Sequence, residues 1–396
     1  MQYRIISADE IYTLNGSPIQ SGFVVLDKEG KIRDVVEHHA FEGEPSQVEY
    51  FNGVISPGFV NAHCHLELSG WKDKIGRGLG LDAFINGIYQ GYKEKWSYDL
   101  DAMQLADQAM YEKGIVAVAD ISNTSHSFIV KANSHVHYHT FAEVFAFSPD
   151  KAERAFQKGM ELLDAANAHN LQASISPHAP YSLSKPLMQL IAKQLEQPGS
   201  LLSIHHQESE AENEMFLHRK GTMVERLKSY GFLMNEWTCP HDYPVAWFMP
   251  AFKKVSRILL VHNTFTNAES VKLAQSLHQN PFWCLCPNAN LYIEKRLPDI
   301  IMLKEHKLNI CIGTDSLASN DSLSIADEIL TIRRHFPQIA FNDILHWACL
   351  NGARFLGIDH RFGSIERGKQ PGLVHWPNPI NDDIANIEKI KVKRIA

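Results

Sequence analysis

The feature that most constrains the fold is a change of pattern at residue 57. From there on, apolar strand-like runs alternate with longer amphipathic stretches, which is typical of βα units around a parallel sheet. Helical stretches run, for example, from Asp101 to Lys113 and from Ala152 to Asn167. We count eight candidate strands, near residues 58–63, 115–121, 136–145, 171–176, 200–205, 257–262, 282–286 and 309–314. Eight strands with helices between them predict an α/β fold of the (β/α)8 TIM-barrel type.

Short strand patterns occupy both ends of the chain instead. Residues 1–56 hold apolar runs and turn residues without helical periodicity, and short strands return after about residue 355. A β-like start and a β-like end predict one small sheet domain built from both termini. The expected boundaries are therefore 1–56 with 355–396 for this domain, and 57–354 for the barrel.

Composition and charge narrow the classes of partner. The 396 residues carry a net charge of -7, so we expect no basic surface for nucleic acid. No apolar run approaches the roughly 20 residues of a membrane span, and the first residues do not form a signal-peptide pattern. We expect a cytoplasmic protein that binds a small molecule, without nucleic-acid or membrane partners. A homodimer is left open.

The six cysteines include no CxxC pair, which suits a reducing compartment. Cys284 and Cys286 form a CxC pair that could bind a metal. Buried strand thiols are the favoured interpretation, because both residues lie in an apolar run.

Polar side chains follow four of the predicted strands. His63 and His65 end the first strand at alternate positions, so their side chains point to the same face. Alone, such a pair is more often two ordinary strand histidines than half of a metal site. The full set comprises His63, His65, His205, Glu208, His262 and Asp315. Because barrel active sites lie at the carboxyl ends of the strands, the set as a whole predicts a metal centre.

The residue types indicate the chemistry of that centre. Three imidazoles and one carboxylate suit one divalent ion, with zinc as the first choice and iron or manganese as alternatives. A water bound to such an ion becomes a nucleophile near neutral pH. Glu208 is placed to shuttle a proton. His262 could orient the water or polarise the substrate, and Asp315 could bind the ion and accept a proton.

Two adjacent histidines compete for one ligand position. Strand parity lets only one of His205 and His206 face the interior. We choose His205 because it leaves Glu208 at HxxE spacing. His206 then faces outward or toward the loop as a structural residue.

The motifs as a set resemble the amidohydrolase superfamily, in its cytosine-deaminase-like and chlorohydrolase-like branch. The resemblance covers nearly the whole chain. It rests on Pro-Gly-Phe-Val-Asn-Ala-His-Cys-His-Leu-Glu at 57–67, Ser-Pro-His-Ala-Pro-Tyr-Ser at 176–182, His-His-Gln-Glu at 205–208, Cys-Pro-Asn-Ala-Asn at 286–290, Gly-Thr-Asp-Ser-Leu-Ala-Ser-Asn at 313–320 and Gly-Ser-Ile-Glu-Arg-Gly-Lys at 363–369.

The resemblance implies a distorted barrel with a composite β-sandwich from both termini. It implies metal ligands at His63, His65, His205 and Asp315. Glu208 would protonate a ring nitrogen, and His262 would sit beside the hydrolytic water.

The resemblance also bears on substrate contacts and on the number of ions. It implies a substrate contact at His178 and a weaker candidate at Asn290, although either could simply order its loop. Trp71 lies in the loop expected to set specificity. Two-metal relatives carry a carboxylated lysine on a middle strand, and residues 136–145 and 171–176 hold none. We therefore expect one ion, with a second ion bridged by Glu143 as the minor alternative.

The leading hypothesis for function is a metal-dependent deaminase of an aminopurine-type or related base or nucleoside, in which metal-bound hydroxide attacks and ammonia leaves. Residues 65–69 and 208–212 resemble aminofutalosine deaminases in particular. The alternatives are hydrolysis of a C–Cl or cyclic amide bond on a similar ring, and a catalytically inactive scaffold. The aromatic-rich inserts 67–113 and 209–255 have no assigned role.

Overall fold

A computed structural model of the chain describes residues 3–94, 96, 98–229, 239–377 and 390–396. Trp237, in the second aromatic insert, lies outside the described residues. The strands are β1 (Arg4–Ile11), β2 (Ile19–Gln20), β3 (Phe23–Leu26), β4 (Ile32–Val36), β5 (Val48–Pro57), β6 (Phe59–Cys64), β7 (Ile115–Ser122), β8 (His137–Val144), β9 (Gln172–Pro177), β10 (Leu201–His206), β11 (Arg257–His262), β12 (Phe282–Leu285), β13 (Asn309–Ile312), β14 (Leu373–Trp376) and β15 (Lys393–Arg394).

Helices connect most of the strands from β6 onward. They are α1 (Leu81–Lys93), α2 (Leu100–Glu112), α3 (Phe128–Ala132), α4 (Ala152–Ala168), α5 (Lys185–Gln194), α6 (Glu210–His218), α7 (Thr222–Ser229), α8 (Pro244–Phe248), α9 (Ala268–Leu277), α10 (Pro287–Glu294), α11 (Ile300–Glu305), α12 (Ile325–His335), α13 (Phe341–Leu345) and α14 (Gly352–Leu356). Side-chain caps fix several starts: the carboxylate of Asp99 accepts a hydrogen bond from Ala102 N (3.0 Å) and begins α2. Among the described residues, no helix is both long and apolar enough to cross a bilayer.

Each of the eight predicted strand positions from residue 57 onward holds a strand. They form two parallel four-stranded sheets, with the orders β6-β7-β8-β9 and β10-β11-β12-β13. All eight residues of β7 are buried, and all six of β10. Strands that are buried along their whole length suit parallel sheets that are covered on both faces. The α/β fold with parallel sheets is therefore confirmed.

Hydrogen bonds join the two parallel sheets at both of their edges. Between β9 and β10, Ser203 N donates to Ser176 Oγ (2.9 Å) and His205 N donates to the carbonyl of His178 (2.9 Å). On the other side, Thr314 N donates to the carbonyl of His63 (3.0 Å), and Cys64 and Asp315 form an isolated parallel bridge. The carboxyl ends of β6, β9, β10 and β13 therefore lie together.

A third sheet contains strands from both ends of the chain. Its order is β15-β14-β5-β1-β3-β4, with β2 paired to β1. The parallel partner of β1 is β5, and β14 from the C-terminal part pairs antiparallel with β5, placing Leu373 opposite Pro57. Because β5 leads directly into β6, this sheet is attached to the first strand of the parallel sheets.

Gly313 is packed at the junction of β13 and β6. A Cβ atom at this position would lie 2.8 Å from His63 Cβ, 2.9 Å from His63 N and 2.8 Å from Cys284 Sγ. We predict that Gly313→Ala lowers the free energy of unfolding by about 1–3 kcal/mol, because these rigid neighbours must move. Urea titration followed by circular dichroism measures the loss.

Gly76→Ala is the matched control for this prediction. A Cβ atom there would come no closer than 3.1 Å to any neighbour, and that neighbour is the end of the exposed Leu79 side chain. The control should unfold at the wild-type urea midpoint. Equal stability of both variants would show that the junction tolerates a side chain at Gly313.

Candidate active site

Two histidines mark the end of β6, and alternation along the strand sends both to the same side. The ring centroids of His63 and His65 are 4.9 Å apart. Cys64, between them, is fully buried in the apolar core. His65 is followed by Leu66, whose N–H donates to the buried Asp120 carboxylate (2.8 Å), so the chain direction beyond the strand is fixed.

Two further strands bring a third imidazole and a carboxylate to the same place. The ring of His205, on β10, lies 4.9 Å from that of His63. Asp315, just after β13, places Oδ1 3.6 Å from His63 Nε2 and 3.5 Å from His65 Nε2. Ligand atoms of His63, His65 and His205 lie within 4.8 Å of one another, and those of His63, His262 and Asp315 do the same.

The buried nitrogen atoms of this cluster fit a metal ion. Among the described residues, both ring nitrogens of His63 and Nδ1 of His65 are buried without a hydrogen-bond partner. Burial holds the pKa of His63 and the pKa of His65 well below the usual value, and the neighbouring imidazoles lower them further. Neutral imidazoles with free lone pairs beside a carboxylate are the donor set that borderline divalent ions prefer.

The neighbouring histidines of β10 face opposite ways. His205 Nδ1 donates to the carbonyl of His178 (2.8 Å), which leaves Nε2 unprotonated and free to bind a metal. His206 Nδ1 is 2.9 Å from Asn263 Oδ1, and its ring contacts Phe248 and Trp283. His206 therefore packs away from the cluster.

Glu208 and His262 form a second part of the site. His262 Nε2 lies 3.6 Å from Glu208 Oε1, and both side chains are buried. Asn290 Nδ2 donates to His262 Nδ1 (3.2 Å), so the ring proton of neutral His262 sits on Nε2, toward Glu208. Burial raises the pKa of Glu208 well above its usual value, and the Asp315 carboxylate adds to the rise.

The backbone is strained at two of the site residues. His262 has φ 75° and Asp315 has φ 58°, in the left-handed region that side-chain-bearing residues rarely adopt. Such strain concentrates at functional sites, where surrounding contacts hold it. Here Ser319 Oγ donates to Asp315 Oδ2 (2.5 Å) and holds the carboxylate in place.

The predicted substrate residues lie in different surroundings. His178 borders the cluster, with its ring 4.9 Å from that of His205, and its Nδ1 is 3.1 Å from Ser182 Oγ. Asn290 lies behind His262, where Nδ2 also donates to Thr264 Oγ1 (2.8 Å). Trp71 is fully buried and packs edge-on against Tyr92 and Trp96, so it forms the base of the first aromatic insert.

A buried carboxylate on β8 also borders the cluster. Glu143 Oε1 lies 3.7 Å from His205 Nδ1, and its carboxylate falls within 4.8 Å of ligand atoms of His178 and His205. Burial raises the pKa of Glu143. Sequence reasoning considered this residue only as a bridge to a second ion. It overlooked Ser319, which the motif at 313–320 already contains.

Comparisons with known proteins agree with this geometry. A sequence profile of the Amidohydrolase family matches residues 54–395. The adenosine deaminase of Helicobacter pylori is 28% identical over 330 residues, covering 81% of this chain and 78% of the relative. The aminodeoxyfutalosine deaminase of Nitratiruptor is 26% identical over 323 residues, covering 78% and 75%.

A solved structure shows a similar fold over the whole chain. The crystal structure of Helicobacter pylori aminofutalosine deaminase in complex with methylthio-coformycin superposes with a TM-score of 0.82 at 24% identity, covering 99% of this chain and all of the other. The family resemblance that the motifs indicated is confirmed. The chain belongs to the Amidohydrolase family, as a hydrolase that acts on carbon–nitrogen bonds other than peptide bonds.

Proposed function

We propose that this protein deaminates an aminopurine-type nucleoside or a related N-heterocycle, with aminodeoxyfutalosine among the candidates, and releases ammonia. The proposal rests on one observation: two sets of buried side chains lie side by side in the same site. One is the cluster of His63, His65, His205 and Asp315, and the other is the Glu208–His262 pair. The deaminase relatives support the same reaction.

One divalent ion is proposed as the cofactor, with zinc as the first choice because three imidazoles and one carboxylate suit it. His63, His65, His205 and Asp315 would hold it, since their ligand atoms form the buried cluster described above. Such an ion would lower the pKa of a bound water toward neutrality and so supply the nucleophile for hydrolysis.

The remaining steps are proton transfers by the side chains. Burial raises the pKa of Glu208, which favours the protonated carboxyl, so Glu208 is suited to donate a proton to the ring nitrogen beside the amino-bearing carbon. Asp315 accepts a proton from the attacking water, and His262 presents its Nε2–H to the same space. Transfer of that proton from Asp315 to the amino group would let it leave as ammonia, and return of the hydroxyl proton to Glu208 would leave the ring in its carbonyl form.

We also propose a barrel and a terminal sandwich domain for this chain. The hydrogen bonds at both sheet edges support one distorted (β/α)8 barrel over 57–354, and the mixed sheet supports a β-sandwich domain from 1–56 and 355–396. All six cysteines are unpaired and buried. Free thiols are typical of a reducing compartment, so we place the protein in the cytoplasm.

The first prediction from this function concerns Glu208. Glu208→Gln should retain the metal and lose about 10²- to 10⁴-fold in the rate of ammonia release, because the amide cannot supply the proton. Ammonia release is measured over purines, nucleosides, aminodeoxyfutalosine and triazines, and the metal by elemental analysis. Glu210→Gln, at the exposed start of α6, is the matched control and should keep the wild-type rate.

Three results would contradict the proposal. A fully active Glu208→Gln enzyme would remove the assigned proton donor. Release of chloride or a ring-opened acid instead of ammonia would identify another hydrolytic reaction at the same site. A wild-type protein that takes up no stoichiometric zinc, iron or manganese would indicate an inactive scaffold.

The second prediction separates the two histidines of β10. His205→Gln should abolish stoichiometric metal binding, because it removes a ligand from the cluster. His206→Gln should keep the metal, because His206 faces Phe248 and Trp283 instead. Both positions are buried strand residues, so each variant controls for the packing cost of the other. Loss of metal from only the His206 variant would reverse the assignment.

A further inference from the structure

Glu143 has an acceptor atom that the proposed chemistry leaves unused. Asn123 Nδ2 donates to Oε2 (2.9 Å), which fixes the direction of the carboxylate. Oε1 accepts no hydrogen bond within the described parts of the chain. Its nearest basic neighbour, His205 Nδ1, is 3.7 Å away and already donates to the carbonyl of His178. The Glu143 residue is more than nine-tenths buried, so this open acceptor favours a hydrogen-bond donor that arrives from the site rather than bulk water.

Glu143 reaches the site from a different strand than Glu208 does. Glu208 follows β10 and lies beside His262 on β11, whereas Glu143 ends β8 and lies beside His178, which follows β9. The two carboxylates therefore approach the site from different strands, on either side of His205. A substrate whose ring meets Glu208 and that extends past His205 can reach Glu143 with the extension.

The surroundings of Glu143 suit such an extension. Phe145 lies two residues further along, and its ring is 6.0 Å from that of His178. More than half of the Phe145 side chain is exposed, which is unusual for an aromatic residue at the rim of a buried site. An apolar ring beside a carboxylate acceptor is suited to a sugar, which offers both hydroxyl donors and an apolar face.

We propose that Glu143 is a specificity-determining residue whose Oε1 accepts a hydrogen bond from a ribose hydroxyl of the substrate, so that the enzyme prefers nucleosides to free bases. This inference rests on the proposed deaminase function and assigns the residue that distinguishes a nucleoside from a free base. Glu143 takes no part in the proton transfers; it contacts the sugar and orients the nucleoside.

The test combines a substrate series with one substitution. Ammonia release is measured with adenosine, 2′-deoxyadenosine, 3′-deoxyadenosine and adenine, for wild-type protein and for Glu143→Gln. A site built to bind a hydroxyl discriminates strongly against analogues that lack it, so wild-type kcat/KM should fall at least about tenfold for one of the deoxynucleosides and for adenine. Glu143→Gln should lose activity chiefly toward adenosine and should erase that difference, with its metal content unchanged. Glu161→Gln, on the exposed face of α4, is the matched control.

The remaining outcomes contradict either the sugar contact or the deaminase function on which it rests. Equal wild-type rates for all four compounds would overturn the inference while leaving deamination in place, and this holds even if Glu143→Gln fails to fold. An equal loss on every substrate, or a loss of metal, would make Glu143 a support for His205 and overturn the specificity role. Absence of ammonia from every purine, with release from a triazine, would overturn the nucleoside function itself.

Discussion

Burial of neutral imidazoles with free lone pairs is the constraint on which the rest of the site depends. His63 is completely enclosed, and neither ring nitrogen has a hydrogen-bond partner among the described residues. An unsatisfied buried polar atom costs about 1–3 kcal/mol, so this arrangement is unfavourable by itself. A metal ion would offset part of this cost by taking one nitrogen lone pair of each ring, and the same burial favours the uncharged imidazoles that can bind it.

The strands that carry the ligands are held by contacts directly beside the cluster. Thr314 N donates to the carbonyl of His63, so the strand that leads to Asp315 is joined to the strand that ends in the HxH pair. Lys131 and Asp120 form a fully buried ion pair. Asp120 also accepts a hydrogen bond from the N–H of Leu66, directly after His65. Removing either partner of this ion pair would leave an unpaired buried charge, which is strongly destabilising. The ion pair therefore holds Asp120 in place, and Asp120 in turn holds the HxH end of β6.

Sequence patterns predicted where the strands lie, but they predicted few of the contacts between side chains. Apolar strand-like runs, some of them interrupted by polar residues, located all eight parallel strands, because a sheet covered on both faces favours such runs. Strand parity predicted that His205 and His206 point to opposite sides, and their rings do so. The proton position on His262 depends on Asn290, which is 28 residues away, and no spacing rule connects them.

Glu143 and Trp71 illustrate what the patterns left open. Glu143 is one carboxylate in a buried strand, and its place in the site arises from the approach of His178 and His205 from other parts of the chain. Trp71 follows the HxH motif closely, but its surroundings depend on how α1 folds back over it, with Gly91 leaving room for the indole. Long-range packing of this kind has no local sequence signal.

The most direct measurement of the central claim is the thermal unfolding of the protein after complete removal of metal by a chelator, compared with the same protein reloaded with one equivalent of zinc. A ligand that binds only the folded state raises its stability, so reloading should raise the Tm and return the rate of ammonia release together. His205→Gln should show neither effect. An unchanged Tm with no bound zinc in the wild-type protein would contradict the account, because the buried imidazoles would then have no metal to hold.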